Sequence, residues 1–300
     1  MSLSPVVLFV YSRLDHTKHT LEALKSNVLA KDSNLFIFSD APKNEKAKKG
    51  VEEVRKYIHS IKGFKKVKII ERKNNMGLAN SVIDGVTKIV NKYGKVIVLE
   101  DDLVTSKYFL KFMNDALNFY ENESKVISIS GYIYPINNLP ETFFIKSADC
   151  WGWATWKRGW DLFEKDGEKL LVQLEKRDLT KEFDFNNSYP YMQMLRDQIL
   201  GKNSSWAVRW YASAFLKNKL TLYPGKSFVQ NIGNDTLGTH SGRVDIYKVK
   251  LNNSLIDLKK GIVFENEFVR RKISLFFRRN SNIINKIICK VNTILRRYFK

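Results

Sequence analysis

The chain has 300 residues, 44% hydrophobic and 27% charged, enough apolar mass for one large globular domain or two small ones. No stretch approaches the roughly 20 apolar residues of a membrane span, and the first apolar run, Val6–Val10, is too short and too poorly flanked for a secretory signal. The net charge of +20 is regional: residues 43–73 carry twelve Lys and Arg against four acids, and residues 268–300 carry ten and no acid.

In chain order, "PVVLFVYS" reads as a buried strand, and the helix after it has Leu21, Leu24, Val28 and Leu29 at helical spacing. "NLFIFSD" is a second strand, followed by a helix with Val51, Val54 and Ile58 on one face. "KKVKIIERK" is a third strand, and Val82, Val86, Ile89 and Val90 mark the next helix. "KVIVLED" is a fourth strand, "SKYFLKFMNDALNFYEN" a helix and "VISISGY" a fifth strand. This alternation predicts an α/β fold with a mostly parallel sheet flanked by helices. Sheets of that kind bind ligands beyond the carboxyl ends of their strands. Polar residues stand there in succession: Ser12 and Arg13, Ser39 and Asp40, Arg72 to Gly77, and Glu100 to Asp102.

Beyond residue 140 the pattern is less regular and rich in Trp and Tyr. "CWGWATWKRGW" holds four Trp in eleven residues, "SYPYMQMLRDQIL" and "SWAVRWYASAFLKNKL" read as helices, and a Gly-rich loop follows "LTLYPGKS". Residues 1–267 are expected to form one domain of two halves, 1–130 and 131–267. Residues 268–300 form a basic tail. Cys150 and Cys289 fit no metal or redox spacing and read as free thiols of a reducing, cytoplasmic compartment, where Asn-x-Ser/Thr triplets meet no glycosylation machinery.

Several machines are excluded by their missing motifs. No Gly-x-Gly-x-x-Gly follows the first strand, neither "YPGKS" nor "GNDTLGTH" completes a phosphate loop, and no nucleophile elbow or His-Glu-x-x-His pair is present. What remains is Glu100-Asp101-Asp102 at the end of a four-residue apolar run. Adjacent carboxylates raise one another's pKa unless a cation neutralises them, and hard oxygens at a strand end suit Mg²⁺ or Mn²⁺ with a diphosphate. The competing reading is a solvated acidic turn in which Asp102 or Thr105 caps the following helix.

These residues resemble the nucleotide-sugar glycosyltransferases of the GT-A fold, especially the inverting family-2 type. The triplet is similar to their acidic metal motif, and "NNMGLANSVIDG" resembles their Asn-x-Gly-x-x-x-Ala/Ser-x-Asn-x-Gly element. "FSDAP" matches their nucleobase-contacting acid, and the likeness extends through "WGWATW", "LRDQILGKNSSWAVRWY" and "NIGNDTLGTH", over about residues 5 to 242. The resemblance implies a metal-dependent inverting transfer from a nucleoside-diphosphate sugar, with uridine the family's commonest base, to a glycan or lipid-linked glycan, as in polysaccharide biosynthesis. It implies Mn²⁺ or Mg²⁺ on Asp102, Asp101 against ribose or phosphate, and Glu100 in support. Asp40 would hydrogen-bond the base, Ser12 and Arg13 would line the nucleotide pocket, and Asn75, Gly77, Leu78 and Asn80 would wrap the nucleoside. Asp197 in "LRDQ" fits the family's base, with Asp161, Asp166 and Asp184 as rivals; Trp206 stands where the family has Gln ahead of Arg209 and Trp210. His240 is a candidate metal ligand. Trp151 and Trp153 are expected at the acceptor beside Arg209 and Trp210, with Trp156 and Trp160 packing.

In residues 268–300, Ile283, Ile284, Ile287, Ile288, Val291, Ile294 and Leu295 recur at near-helical intervals among basic residues. That pattern reads as an amphipathic helix against an anionic membrane, placing the protein on the inner face of the cytoplasmic membrane, or as a helix packed on the domain. The Lys of residues 43–73 alternate with acids and read as a solvated face. A nucleotidyltransferase would need a phosphate-gripping loop that "YSRLDHT" lacks. A nucleic-acid binder would spread Lys, Arg and aromatics over one surface, whereas the candidate cleft here is acidic, so no nucleic-acid partner is expected. A non-catalytic basic membrane-binding module is the remaining alternative.

Overall fold

The structure, a computed structural model, describes residues 3–233, 246–259 and 261–281. Its first half runs β1 (Val6–Val10), α1 (Leu14–Lys25), β2 (Asn34–Ser39), α2 (Glu45–His59), β3 (Lys66–Glu71), α3 (Gly77–Tyr93) and β4 (Lys95–Glu100). The four strands pair in parallel in the order β3-β2-β1-β4. β1 and the apolar run of β4 are buried on both faces, as strands covered by helices on each side must be. α2 starts where Asn44 accepts a hydrogen bond from the Ala47 N–H, and it buries Val51, Val54 and Ile58. Its basic residues stand beside acids, Lys48 with Glu45, Lys49 with Glu53 and Arg55 with Glu71, the solvated face read from the sequence.

The second half runs β5 (Leu103–Thr105), α4 (Phe109–Phe119), β6 (Val126–Ser130), β7 (Thr142–Ile145), β8 (Trp153–Trp156), α5 (Lys157–Trp160), α6 (Gly167–Lys176), α7 (Thr180–Phe183), α8 (Tyr191–Ile199), α9 (Trp206–Leu216), β9 (Leu220–Pro224), β10 (Val229–Asn231) and α10 (Glu267–Arg279). The sheet continues β4-β8-β6-β9-β7, eight strands in all, so the expected α/β fold with a mostly parallel sheet is present. One pairing differs from the simple alternation. β6 is not the neighbour of β4; β8 lies between them, antiparallel to both. Its four residues are all buried, and a run of Trp, Ala and Thr buried on both faces shows no period-2 alternation to betray a strand.

A two-stranded ribbon of β5 and β10 leaves the sheet just after the triplet. It delays the next helix to Phe109, so neither Asp102 nor Thr105 caps that helix; the Thr105 hydroxyl instead accepts from Asn27.

The start of the expected basic tail, from residue 268, is packed on the residues before it. α10 buries Val269, Ile273 and Phe277 against the domain, and Phe144 bridges to Glu265 just ahead of it. The buried Arg270 is paired with Glu265 at 2.9 Å, donates to the Glu182 carbonyl at 2.6 Å and lies over the Phe185 ring at 4.4 Å. A buried cation with that many partners is a packed one. The amphipathic repeat at Ile283–Leu295 lies outside the described residues, as does Cys289; Cys150 is a free thiol. Among the described residues no helix is long and apolar enough to cross a membrane.

Candidate active site

Parallel strands deliver their carboxyl ends to one edge, and the register Phe9↔Glu100 and Val10↔Ser39 sets the ends of β1, β2 and β4 side by side. Arg13, just past β1, reaches across to the triplet. Its Nη2 donates to Asp101 Oδ1 at 2.5 Å and to Asp102 Oδ2 at 2.8 Å. Asp101 is buried; its carboxylate also accepts from the Tyr11 N–H at 3.4 Å, and its carbonyl accepts from the Thr20 hydroxyl at 2.8 Å. Asp102 is partly open. Its carbonyl accepts from the Ile232 N–H at 2.8 Å, and Gly233 packs so closely on the carboxylate that a Cβ there would lie 2.3 Å from Oδ2. Burial works against the Arg13 charge, but the two aspartates outweigh it and hold its pKa above the ordinary value. Burial also raises the Asp101 pKa, with Arg13 opposing. Glu100 is set apart. Burial and then the charges of Asp102 and Asp101 push it up to about 8, with a hydrogen bond to the Trp206 side chain opposing.

A second knot joins β2 to α3. Asp40 is buried, and its carboxylate accepts from the N–H groups of Ala41 (3.0 Å), Met76 (3.0 Å) and Gly77 (2.9 Å) and from Asn75 Nδ2 (3.2 Å). A carboxylate receiving N–H groups at a helix start is stabilised both by the bonds and by the helix dipole. Asn75 also donates to the Ala41 carbonyl at 2.7 Å, and Gly77 has φ +70°, a left-handed conformation that favours glycine. Asp40, Asn75 and Gly77 are thus brought together, with the Asp40 carboxylate taken up by protein donors. Leu78 and Asn80 sit exposed on the first turn of α3, and Ser12 is half-buried after β1. Arg72, at the end of β3, is tied to Asp84 of α3 at 2.6 Å.

On the other side of β4 the residues expected at the acceptor divide by burial. Trp153 and Trp210 have no exposed surface and pack 5.7 Å apart, with Trp160 and Trp206 against them. Trp153 and Trp210 are core, and the indole N–H groups of these two have no hydrogen-bond partner among the described residues. Trp151 alone of the four in "CWGWATWKRGW" is part-exposed. Arg209 is spent on backbone carbonyls, donating to Ser205 at 3.2 Å and Lys165 at 2.9 Å, which holds α9 to the loop before α6. Asp197 is buried on α8, hydrogen-bonded to Gln193 Nε2 at 3.0 Å and paired with Lys202 at 3.3 Å. Of its rivals, Asp161 pairs with Lys157 one turn away, Asp166 caps α6, and Asp184 accepts from the Met192 N–H at 2.7 Å. His240 lies outside the described residues.

One acid was not singled out from the sequence. Asp149 is part-exposed and turns its carboxylate back on its own chain, accepting from the Trp151 N–H at 2.9 Å. Burial pushes it up to about 6, the N–H groups of Trp151 and Cys150 opposing. The electrostatic neighbours of the Cys150 thiol are Asp149, Glu100 and Asp102. The one signal in the sequence was its position directly before "CWGW".

The donor set of the triplet fits a small divalent cation. A single guanidinium nitrogen bonds both Asp101 and Asp102, so two hard oxygens converge within reach of one positive centre. Among the described residues no group of three or more His, Cys, Asp and Glu stands close enough to hold a metal by protein ligands alone.

No protein-family model matches the chain, and no curated protein sequence matches it. Solved structures do. The crystal structure of S. aureus TarS is 11% identical over 78% of this chain, with a TM-score of 0.41, and the chain spans 38% of its length. The mannosyltransferase PcManGT from Pyrobaculum calidifontis, in complex with GDP-Man and Mn²⁺, is 9% identical over 71% of this chain and 70% of its own, with a TM-score of 0.40. Likenesses of that size leave the function to the chain's own residues.

Proposed function

We propose that the protein is a glycosyltransferase of the GT-A type that transfers a sugar from a nucleoside-diphosphate sugar to a hydroxyl group of a glycan or lipid-linked glycan, with inversion at the anomeric carbon. The observation that carries the reading is the convergence of Arg13, Asp101 and Asp102 at the end of β4, next to the Asp40–Asn75–Gly77 knot, on one edge of the sheet. An edge with a guanidinium, two carboxylates and a helix N-terminus suits a nucleoside diphosphate. Arg13 would bind the phosphates, since a guanidinium fork matches them. The first turn of α3, with Leu78 and Asn80, would flank the nucleoside. Asp102, with Asp101 beside it, would hold Mn²⁺ or Mg²⁺, which when bound supplies positive charge to the leaving diphosphate. A nucleotidyltransferase remains the weaker reading, because no glycine-rich phosphate loop follows β1.

The reading includes contact with an anionic membrane on the cytoplasmic side. α10 turns Phe268 and Leu275 outward among Arg271, Arg278 and Arg279, and Ile262 and Phe264 ahead of it are exposed as well. Apolar side chains interleaved with cations suit an interfacial position on anionic lipid.

Thermal stabilisation of the full chain by UDP-glucose, UDP-N-acetylglucosamine, UDP-galactose and GDP-mannose, with and without Mn²⁺, tests the reading. A shift with at least one donor that grows with Mn²⁺ is expected. No shift with any of them, and no release of nucleoside diphosphate, overturns it.

A further inference from the structure

We propose that Asp149, and not Asp197, is the carboxylate that takes the proton from the attacking hydroxyl of a glycan acceptor; the inference rests on the glycosyl-transfer reading above.

The placement follows from the sheet. β8 runs antiparallel to β4 with Trp153 opposite Val98, so the chain entering β8 arrives at the same edge where β4 ends. Gly152 confirms the approach, since a Cβ built on it would lie 3.4 Å from the Leu99 side chain. Asp149 and Cys150 precede it, and the Cys150 thiol lies within electrostatic reach of Asp149, Glu100 and Asp102 together. The chain just ahead of β8, Asp149 included, therefore lies toward the strand end that carries Asp101 and Asp102. Asp197, by contrast, is committed to Lys202 and Gln193 in the helix layer of α6, α8 and α9.

The surroundings suit a carbohydrate. Trp151 stands edge-on to Tyr132 at 4.7 Å and to Tyr247 at 5.7 Å, and Tyr189 packs on Tyr191 at 4.3 Å. Tyr134, Tyr189, Tyr191 and Trp151 are all part-exposed, and Tyr134, Tyr189 and Tyr191 act electrostatically together with Asp149. Aromatic faces cover the C–H faces of a sugar. Asp149 meets few competitors for its oxygens: its donors among the described residues are the backbone N–H groups of Trp151 and Cys150. A carboxylate pushed up to about 6 by burial is also a better proton acceptor near neutral pH than an ordinary one.

The step balances without a further reactant. The acceptor oxygen bonds to the anomeric carbon as the bond from that carbon to the phosphate oxygen breaks. The electron pair leaves on the diphosphate, and the hydroxyl proton passes to the Asp149 carboxylate.

With water as the acceptor, the step is read as release of nucleoside diphosphate from the donor that gives the largest thermal shift. Asp149→Asn should lower that release by about 10²-fold or more, the size of a general-base contribution, while donor Kd stays within threefold. Sodium azide, a nucleophile with no proton to lose, should restore release in Asp149→Asn to within tenfold of the wild type, giving the glycosyl azide. Asp197→Asn should retain the wild-type rate at temperatures where it is folded. Equal rates for Asp149→Asn and wild type, or loss without azide rescue in a variant that still binds donor, overturn the assignment. Were Asp149→Asn to fail to fold, Asp149→Ser with azide applies the same criterion. A wild type that neither binds nor cleaves any donor removes the glycosyl-transfer reading itself, an outcome distinct from the other two.

Discussion

The two halves of the sheet treat their polar groups in opposite ways. At the ends of β1, β2 and β4 the charges are locked to one another: Arg13 holds Asp101 and Asp102, and Asp40 collects donors from Ala41, Asn75, Met76 and Gly77. Around Asp149 the neighbours are rings, and Asp149 is bonded only to its own turn among the described residues. A diphosphate is a constant of every donor, and a prearranged set of charges meets it without reorganisation. A glycan acceptor presents weakly polar faces, and aromatic rings meet these through area rather than charge. Under the proposed reading the two sets of residues would meet donor and acceptor by different means.

The contrast is most exposed at Asp102. Asp102→Ala removes one of the two carboxylates that converge on Arg13 and should cost about 10³-fold in diphosphate release together with the Mn²⁺-dependent thermal shift, as loss of leaving-group electrostatics does. Retained Mn²⁺ dependence would break the division between the halves.

Asp40→Ala comes next. It leaves the N–H groups of Met76 and Gly77 without their acceptor, and a cost of about 1–3 kcal/mol in unfolding free energy is expected, measured by urea denaturation, together with weaker donor binding. An unchanged unfolding midpoint would mean that the knot is not part of the structure's rigidity.

The smallest expected effect compares the two basic regions. Phe268→Ser on α10 should lower partitioning onto phosphatidylglycerol-containing vesicles by about tenfold, the loss of one partly inserted ring. Lys48→Gln with Lys49→Gln on α2, where the lysines stand beside Glu45 and Glu53, should change it by less than twofold. Equal effects would remove the distinction between a solvated basic face and a membrane-facing one.

Legibility in the sequence followed the same split. Asp40, Asn75, Gly77, Asp101 and Asp102 stand at strand ends or helix starts, where a local pattern marks both the element and the polar residue that follows it. The four Trp around "WGWATW" carried no such mark. Which of them met solvent depended on α9 laying Trp206 and Trp210 against Trp153, a contact made across more than fifty residues. Asp197 stands in "LRDQ" where the family's base would, and its burial and its pairing with Lys202, five residues on, belong to the folded chain. The tail looked separable because its apolar positions and its charges both repeat, and only the Arg270–Glu265 pair and the enclosed Phe277 show its first part docked.

By itself the sequence determined the alternation of strands and helices, the succession of polar residues at the strand ends, and the acids that end β2 and β4. Those features depend on periodicity and on neighbours within a few residues, which the order of side chains specifies directly. Only the tertiary structure decided the insertion of β8 between β4 and β6, the burial of Trp153 and Trp210, the role of Arg13 between two carboxylates, and the standing of Asp149. Each of these depends on segments distant in the chain meeting in space. Their burial and electrostatics exist only once the core has closed.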